Sequence, residues 1–184
     1  SFLCFAFVGA FSAYFTLYLQ AISLTATEIA LLMSLMQLMR ILAPNMWGWL
    51  VERFGGRVTI LRLSALMSLV GFSGFFLSTQ FGGLLAAMAL MAFFWSAALP
   101  LIEGLTFSHL GTDTHRYGSI RVWGSCGFIV AVLGLGQALD SVPIEAVLWV
   151  TATILAGVLA WAFTLPESAP RALERAPSSM LGPL

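Results

Sequence analysis

Lysine is absent from this chain, and its eight basic residues are all arginines, matched by eight acids. Charged residues make up 9% of 184 positions, where a water-soluble domain of this size carries about 25%. That leaves too little polar surface to cover a soluble globule. The formal net charge is zero, so nothing in the charge balance suggests a nucleic-acid partner. Cysteine and histidine occur twice each. Cys4 and Cys126 lie inside apolar runs and are expected to be buried thiols, while His109 and His115 flank polar residues without metal-ligand company. No cofactor is expected. No nucleophile and base fall together within the apolar runs, which argues against an enzyme.

What the chain has in quantity is apolar length. Hydrophobic residues are 60% of the total and mean hydropathy is +0.97. Six runs, at 2–19, 29–50, 58–77, 84–106, 118–139 and 147–165, approach the roughly 20 residues that a helix needs to cross a bilayer. They do not alternate as the strands of a membrane barrel do. The first run has no basic segment before it and carries its small residues mid-run, so it is kept as a spanning helix rather than a cleavable signal. Arg53, Arg57, Arg62, Arg116, Arg171 and Arg175 all fall near alternate connections, and the opposite loops at 20–28, 78–83 and 140–145 hold no base. The positive-inside rule then puts both termini in the cytoplasm. The polar, Pro- and Ser-rich stretch 167–184 reads as a cytoplasmic linker after a six-helix bundle at 1–166, which suggests half of something larger. No internal repeat is visible by eye, although three-plus-three inverted repeats are often this faint.

A charge within the hydrocarbon costs at least about 2.5–3.5 kcal/mol on insertion scales, so each one needs a reason. Arg62 is one turn from the cytoplasmic face and is expected to snorkel. Arg40 lies mid-run, with Gln37 three residues back on the same face. It is either a structural tie or a cavity-lining cation for an anionic or polar group. Glu103 and Arg121 are equidistant from Thr112 and should meet at similar depth on adjacent antiparallel helices. They form either a buried brace or a pair that opens to take a substrate. Ser125 and Phe128 follow Arg121 at i+4 and i+7 on one face. Phe7, Phe11, Tyr14 and Tyr18 form a stripe on the first run; Phe7 and Phe11 read as lipid-facing, Tyr18 as an interfacial anchor and Tyr14 as a candidate substrate contact. Gly118, Gly124 and Gly127 should permit close helix packing.

The segment GWLVERFGGR at 48–57 resembles the signature of the major facilitator superfamily, G-x-x-x-D-R-x-G-R-R. Gly48, Arg53, Gly55 and Arg57 match it, and Glu52 stands where the family has Asp. PLIEG at 100–104 and YGSIRVWGSCGF at 117–128 are similar to the branch that holds the lactose permease and the nucleoside and phenylpropionate symporters. In that permease an acid and an arginine on the fourth and fifth helices, separated as Glu103 and Arg121 are, engage the sugar. Ser125 stands in place of a cysteine there, and Phe128 in place of the tryptophan that stacks on galactose.

The resemblance implies an all-α membrane protein, with six transmembrane helices forming one half-bundle, a three-plus-three inverted repeat, of a twelve-helix major facilitator fold. It implies a secondary active transporter, specifically a proton symporter for a sugar, nucleoside or aromatic acid, in the bacterial inner (plasma) membrane. Glu103, Arg121, Arg40, Ser125, Phe128 and Tyr14 are the expected substrate contacts. Gly48, Glu52, Arg53, Gly55 and Arg57 are the expected gate, with Gly48 at a close helix crossing. The expected partners are the bilayer, the solute, protons and a missing C-terminal half. The alternative is a transport-inactive six-helix module serving as a sensor or assembly subunit.

Overall fold

The computed structural model describes residues 2–110 and 114–166, without the side chains at 107–110 and 114–117. The expected linker at 167–184 and Thr112 lie outside the described residues, as do the side chains of His109, His115 and Arg116. The described chain forms six α-helices: α1 (Phe2–Ala21), α2 (Ala26–Phe54), α3 (Arg57–Leu77), α4 (Phe81–Leu110), α5 (Thr114–Leu139) and α6 (Ala146–Thr164). Each is long and apolar enough to cross a membrane. In hydrocarbon the backbone must satisfy its own polar groups, and a helix does so within one segment. Buried hydroxyls are absorbed the same way. Ser64, Ser68 and Thr151 donate to the carbonyls of Leu61, Ser64 and Val147 on their own helices.

The pattern of packing exposes a repeat that the sequence hides. α1 packs on α5 and α6, α4 packs on α2 and α3, and α3 packs on α6. Exchanging α1 with α4, α2 with α5 and α3 with α6 reproduces this set. Because each unit crosses three times, the second starts from the opposite side, and the two are inverted copies. About half of the α1 and α4 spans is buried (50% and 56%), against 17% for each of α2 and α5. The central helices are therefore α1 and α4, and α2 and α5 flank them.

Phe7 and Phe11, expected to face lipid, are fully buried, and Tyr18 is buried too. The stripe runs through Phe15 rather than Tyr14. Phe7, Phe11 and Phe15 stack in turn, and the ladder meets Trp95 of α4 at 4.2 Å and Phe75 of α3 at 4.8 Å between ring centroids. α1 is central, so its aromatic face meets neighbouring helices rather than lipid. Cys4 is buried as expected, whereas Cys126 is exposed because it falls on the open side of flanking α5. Close approach does occur along α5. A Cβ on Gly124 would lie 2.8 Å from the Phe5 ring, and one on Gly127 would lie 2.5 Å from the Phe2 carbonyl, whereas Gly118 has nothing within 4 Å. The same intimacy appears between α3 and α4, where a Cβ on Gly71 would sit 2.6 Å from the Met91 backbone nitrogen.

Arg62 reaches the end of a neighbouring helix. Its guanidinium donates to the carbonyls of Ala162, Phe163 and Leu165 at 3.1, 3.3 and 2.7 Å, closing the end of α6. The last carbonyls of a helix lack intrahelical partners and carry the negative end of its dipole, so a cation belongs there.

The turn between α2 and α3 is set by two glycines. α2 starts at a capping box, in which the Glu28 N–H donates to Thr25 Oγ1 at 3.3 Å and the Thr25 N–H donates to Glu28 Oε2 at 2.8 Å. It ends where Gly55 turns to φ 67°, ψ −154° and Gly56 to φ 64°, ψ 51°. The first conformation is almost exclusive to glycine, while the second is left-handed helical and tolerates asparagine. A Cβ on Gly55 would meet nothing within 4 Å, so substitution there tests the backbone alone. Gly55→Ala is expected to destabilise the protein by about 1–3 kcal/mol. Gly56→Asn should be nearly neutral. Thermal unfolding in detergent checks this, and equal losses at the two positions would contradict it.

Candidate functional site

Glu103 and Arg121 do meet. Arg121 Nη1 lies 3.5 Å from Glu103 Oε1, across the α4–α5 seam. The expectation of a buried pair is not realised, because the Arg121 and Glu103 side chains are 58% and 42% exposed. Both project from the open side of their helices, away from the aromatic core. The contact is long, whereas strong charge-assisted pairs close to about 2.7–2.9 Å. Such a pair is easily exchanged for another partner.

The pair lines a crevice with Cys4 and Phe5 of α1 and Leu99 of α4, whose volume of about 20 Å³ holds little more than one water. A far roomier cleft, about 470 Å³, opens between α1, α2 and α4. Arg40, Gln37 and Ser34 line it from α2, Ser12 from α1, and Trp95 and Leu99 from α4. Leu99 borders both spaces, so the ion pair and Arg40 stand on opposite flanks of one groove along α1 and α4. Arg40 Nη1 donates to Gln37 Oε1 at 3.2 Å, the i−3 contact expected from spacing.

The other expected contacts are not brought to this groove. The Ser125 hydroxyl donates back to the Arg121 carbonyl at 3.3 Å. Phe128 lies against Gly9 of α1, where an added Cβ would sit 3.1 Å from its ring. The Tyr14 hydroxyl donates to the Val132 carbonyl at 2.7 Å and thereby ties α1 to α5. Its counterpart on the other side is Trp47, whose indole donates to the Phe93 carbonyl at 3.1 Å and ties α2 to α4. Trp47 was not among the candidate residues, although an indole inside an apolar run needs an acceptor.

At the α2–α3 turn, Glu52 is exposed and Arg53 lies over the Trp49 ring at 5.5 Å. Arg57 reaches toward α4, with Nη1 4.0 Å from where a Cβ on Gly104 would be. Gly48 was expected at a close crossing, yet a Cβ there would meet nothing within 4 Å, because this face of α2 is open. Among the described residues neither Glu52 nor Arg53 forms an ion pair.

The family model described as "MFS_1 like family" matches residues 1–179. The chain belongs to that family, and so to the major facilitator superfamily. It is 28% identical over 178 residues to the maltose permease of Geobacillus stearothermophilus, covering 95% of this chain and 45% of that protein. It is 25% identical over 170 residues to a probable 3-phenylpropionic acid transporter of Escherichia coli (strain K12), covering 90% of this chain and 45% of the relative. The crystal structure of the nucleoside transporter NupG superposes with a TM-score of 0.83 at 17% identity, over 97% of this chain and 45% of that one, which establishes the shared fold. The chain thus spans a little under half the length of these relatives. As a major facilitator chain with six apolar helices it is an integral membrane protein, and its relatives are permeases and transporters rather than enzymes.

The exposure of the Glu103–Arg121 pair sets its energetic weight. Neutralising either partner (Glu103→Gln or Arg121→Gln) is expected to shift stability by less than about 1 kcal/mol, as for exposed ion pairs generally. Thermal unfolding of the two single variants and the double variant gives the coupling. Losses of about 3–5 kcal/mol for either single change would mark a buried pair instead.

Proposed function

We propose that this chain is the N-terminal six-helix half of a secondary active transporter for a small organic solute. A second six-helix bundle would close over its open side. The observation that carries the reading is the groove along α1 and α4, which presents an exposed, exchangeable Glu103–Arg121 pair between flanking helices only 17% buried. Relatives about twice as long, among them a maltose permease and a probable 3-phenylpropionic acid transporter, support a twelve-helix whole. In such a whole the two bundles rock about a site at the midplane. Glu103 and Arg121 would hydrogen-bond the solute when their contact opens and neutralise each other when it leaves. Ser125 and Phe128 line the same face of α5 farther along, and Tyr14 holds that helix in place. Gly48, Glu52, Arg53, Gly55 and Arg57 would latch the end of the bundle against the second half. Coupling to protons is proposed on the resemblance to symporters.

The test is uptake by the full-length gene product in proteoliposomes, with maltose, uridine and 3-phenylpropanoate, with and without an inward proton gradient. Saturable uptake of at least one solute, accelerated by the gradient, is expected. The Glu103→Gln/Arg121→Gln double variant should keep its stability but lose at least about tenfold in affinity, since hydrogen bonds to charged groups contribute about 1.5–3 kcal/mol each. No uptake of any solute would overturn the reading. A double variant that binds as the wild type does would reduce the pair to a brace.

The proposed setting is the bacterial inner membrane with both termini cytoplasmic, on the strength of the arginine asymmetry. With Cys126→Ser as background, Ser23→Cys and Thr79→Cys should react with an impermeant thiol reagent from the periplasmic side. Glu52→Cys should react only from the cytoplasm. The reverse pattern would invert the orientation.

A further inference from the structure

Arg40 occupies the middle of α2, fourteen residues from Ala26 and fourteen from Phe54. At 1.5 Å per residue each helix end is about 21 Å away, so its charge sits at the depth where water is scarcest. Its partner, Gln37 Oε1, is a neutral acceptor. Among the described residues no carboxylate lies within ion-pair distance of it. Among the described residues that line its cleft, Arg40 is the one charged group. The cleft therefore carries one positive charge, and Arg40 bears it. Around that charge lies a cleft of about 470 Å³, within the usual range for small-molecule sites. Its floor is Phe11 and Trp95, both buried aromatics, and its polar atoms beside Arg40 are those of Gln37, Ser34 and Ser12.

We infer that the Arg40 cleft is an anion subsite and that the solute is an amphipathic organic monocarboxylate. The carboxylate lies on the Arg40 guanidinium, whose planar fork matches it with two parallel hydrogen bonds. Gln37 and the serine hydroxyls supply neutral donors, and the apolar body lies along Val8, Met33 and Leu99 toward the Glu103–Arg121 crevice. A single cation among neutral groups matches one negative charge and leaves a phosphate dianion undercompensated. A neutral solute that displaced water from the cleft would leave Arg40 without a counter-charge, so the same feature that attracts a carboxylate selects against its uncharged isostere. This inference rests on the transporter reading and narrows its substrate class.

The test is equilibrium binding to the full-length gene product in detergent, using 3-phenylpropanoate and hexanoate against their primary amides, which match them in shape but carry no charge. The acids are expected to bind at least about tenfold more tightly than the amides, the size of one charge-assisted contact. Arg40→Gln should abolish the preference, lowering the affinity of the acids and raising that of the amides, because the uncompensated cation is gone. Arg40→Lys, which keeps the charge but not the fork, should recover part of the preference. Acids and amides binding alike, or neither acid binding, would overturn the inference. So would an equal loss of both in Arg40→Gln, which would mark Arg40 as a structural brace. The two readings fail separately. Gradient-driven uptake of maltose without acid preference keeps transport and loses the subsite. Acid binding through Arg40 without uptake of any solute keeps the subsite and loses transport.

Discussion

Hydrocarbon does not solvate polar groups, so each donor, acceptor and charge inside the bilayer has to find its partner within the protein. That constraint organises this chain from the backbone outward. Buried hydroxyls of α3 and α6 turn back to their own carbonyls. Tyr14 and Trp47 each spend a polar hydrogen on the backbone of a neighbouring helix, and Arg62 spends its guanidinium on the end of α6. Among the described residues no buried side-chain nitrogen or oxygen is left without a partner. Against this background the charges held in weak or neutral contacts stand out. Glu103 and Arg121 meet at a long distance, and Arg40 leans on a neutral amide.

Those exceptions fall on one side of the molecule, and the inverted repeat explains why. The two units use their first helices, α1 and α4, as a shared centre and their second helices, α2 and α5, as flanks. A side chain on the core side of α1 enters the aromatic ladder. One on the open side of α2, α4 or α5 faces the groove instead. Arg40 comes from one flank and Arg121 from the other, which is how two arginines 81 positions apart in the chain border one groove.

Much of this was legible in the residues. The meeting of Glu103 with Arg121 followed from their symmetric placement about Thr112, and the Arg40–Gln37 contact followed from helical spacing. The misreadings share one cause. Phe7, Phe11, Tyr18, Cys126 and Gly48 were assigned surroundings from their own segment, but surroundings belong to the neighbours. In a helix that is apolar all round, periodicity does not distinguish the face that meets lipid from the face that meets protein. The acceptors of Arg62 were hidden for a related reason, because they lie about a hundred residues away at the end of α6.

Local chemistry determined by itself that the chain crosses a membrane six times, where α2 begins and turns, and that its few charges would be concentrated at meaningful places. Run length, capping residues and paired glycines act within a few residues of chain, so the sequence carries them directly. Which helices are central, which aromatics are core, and which charges share a groove were decided only in the tertiary structure. Those properties arise from the packing of α1 against α5 and α6 and of α4 against α2 and α3. That packing depends on shape complementarity between distant segments, such as the bare backbone of Gly71 against Met91, and no single segment encodes it.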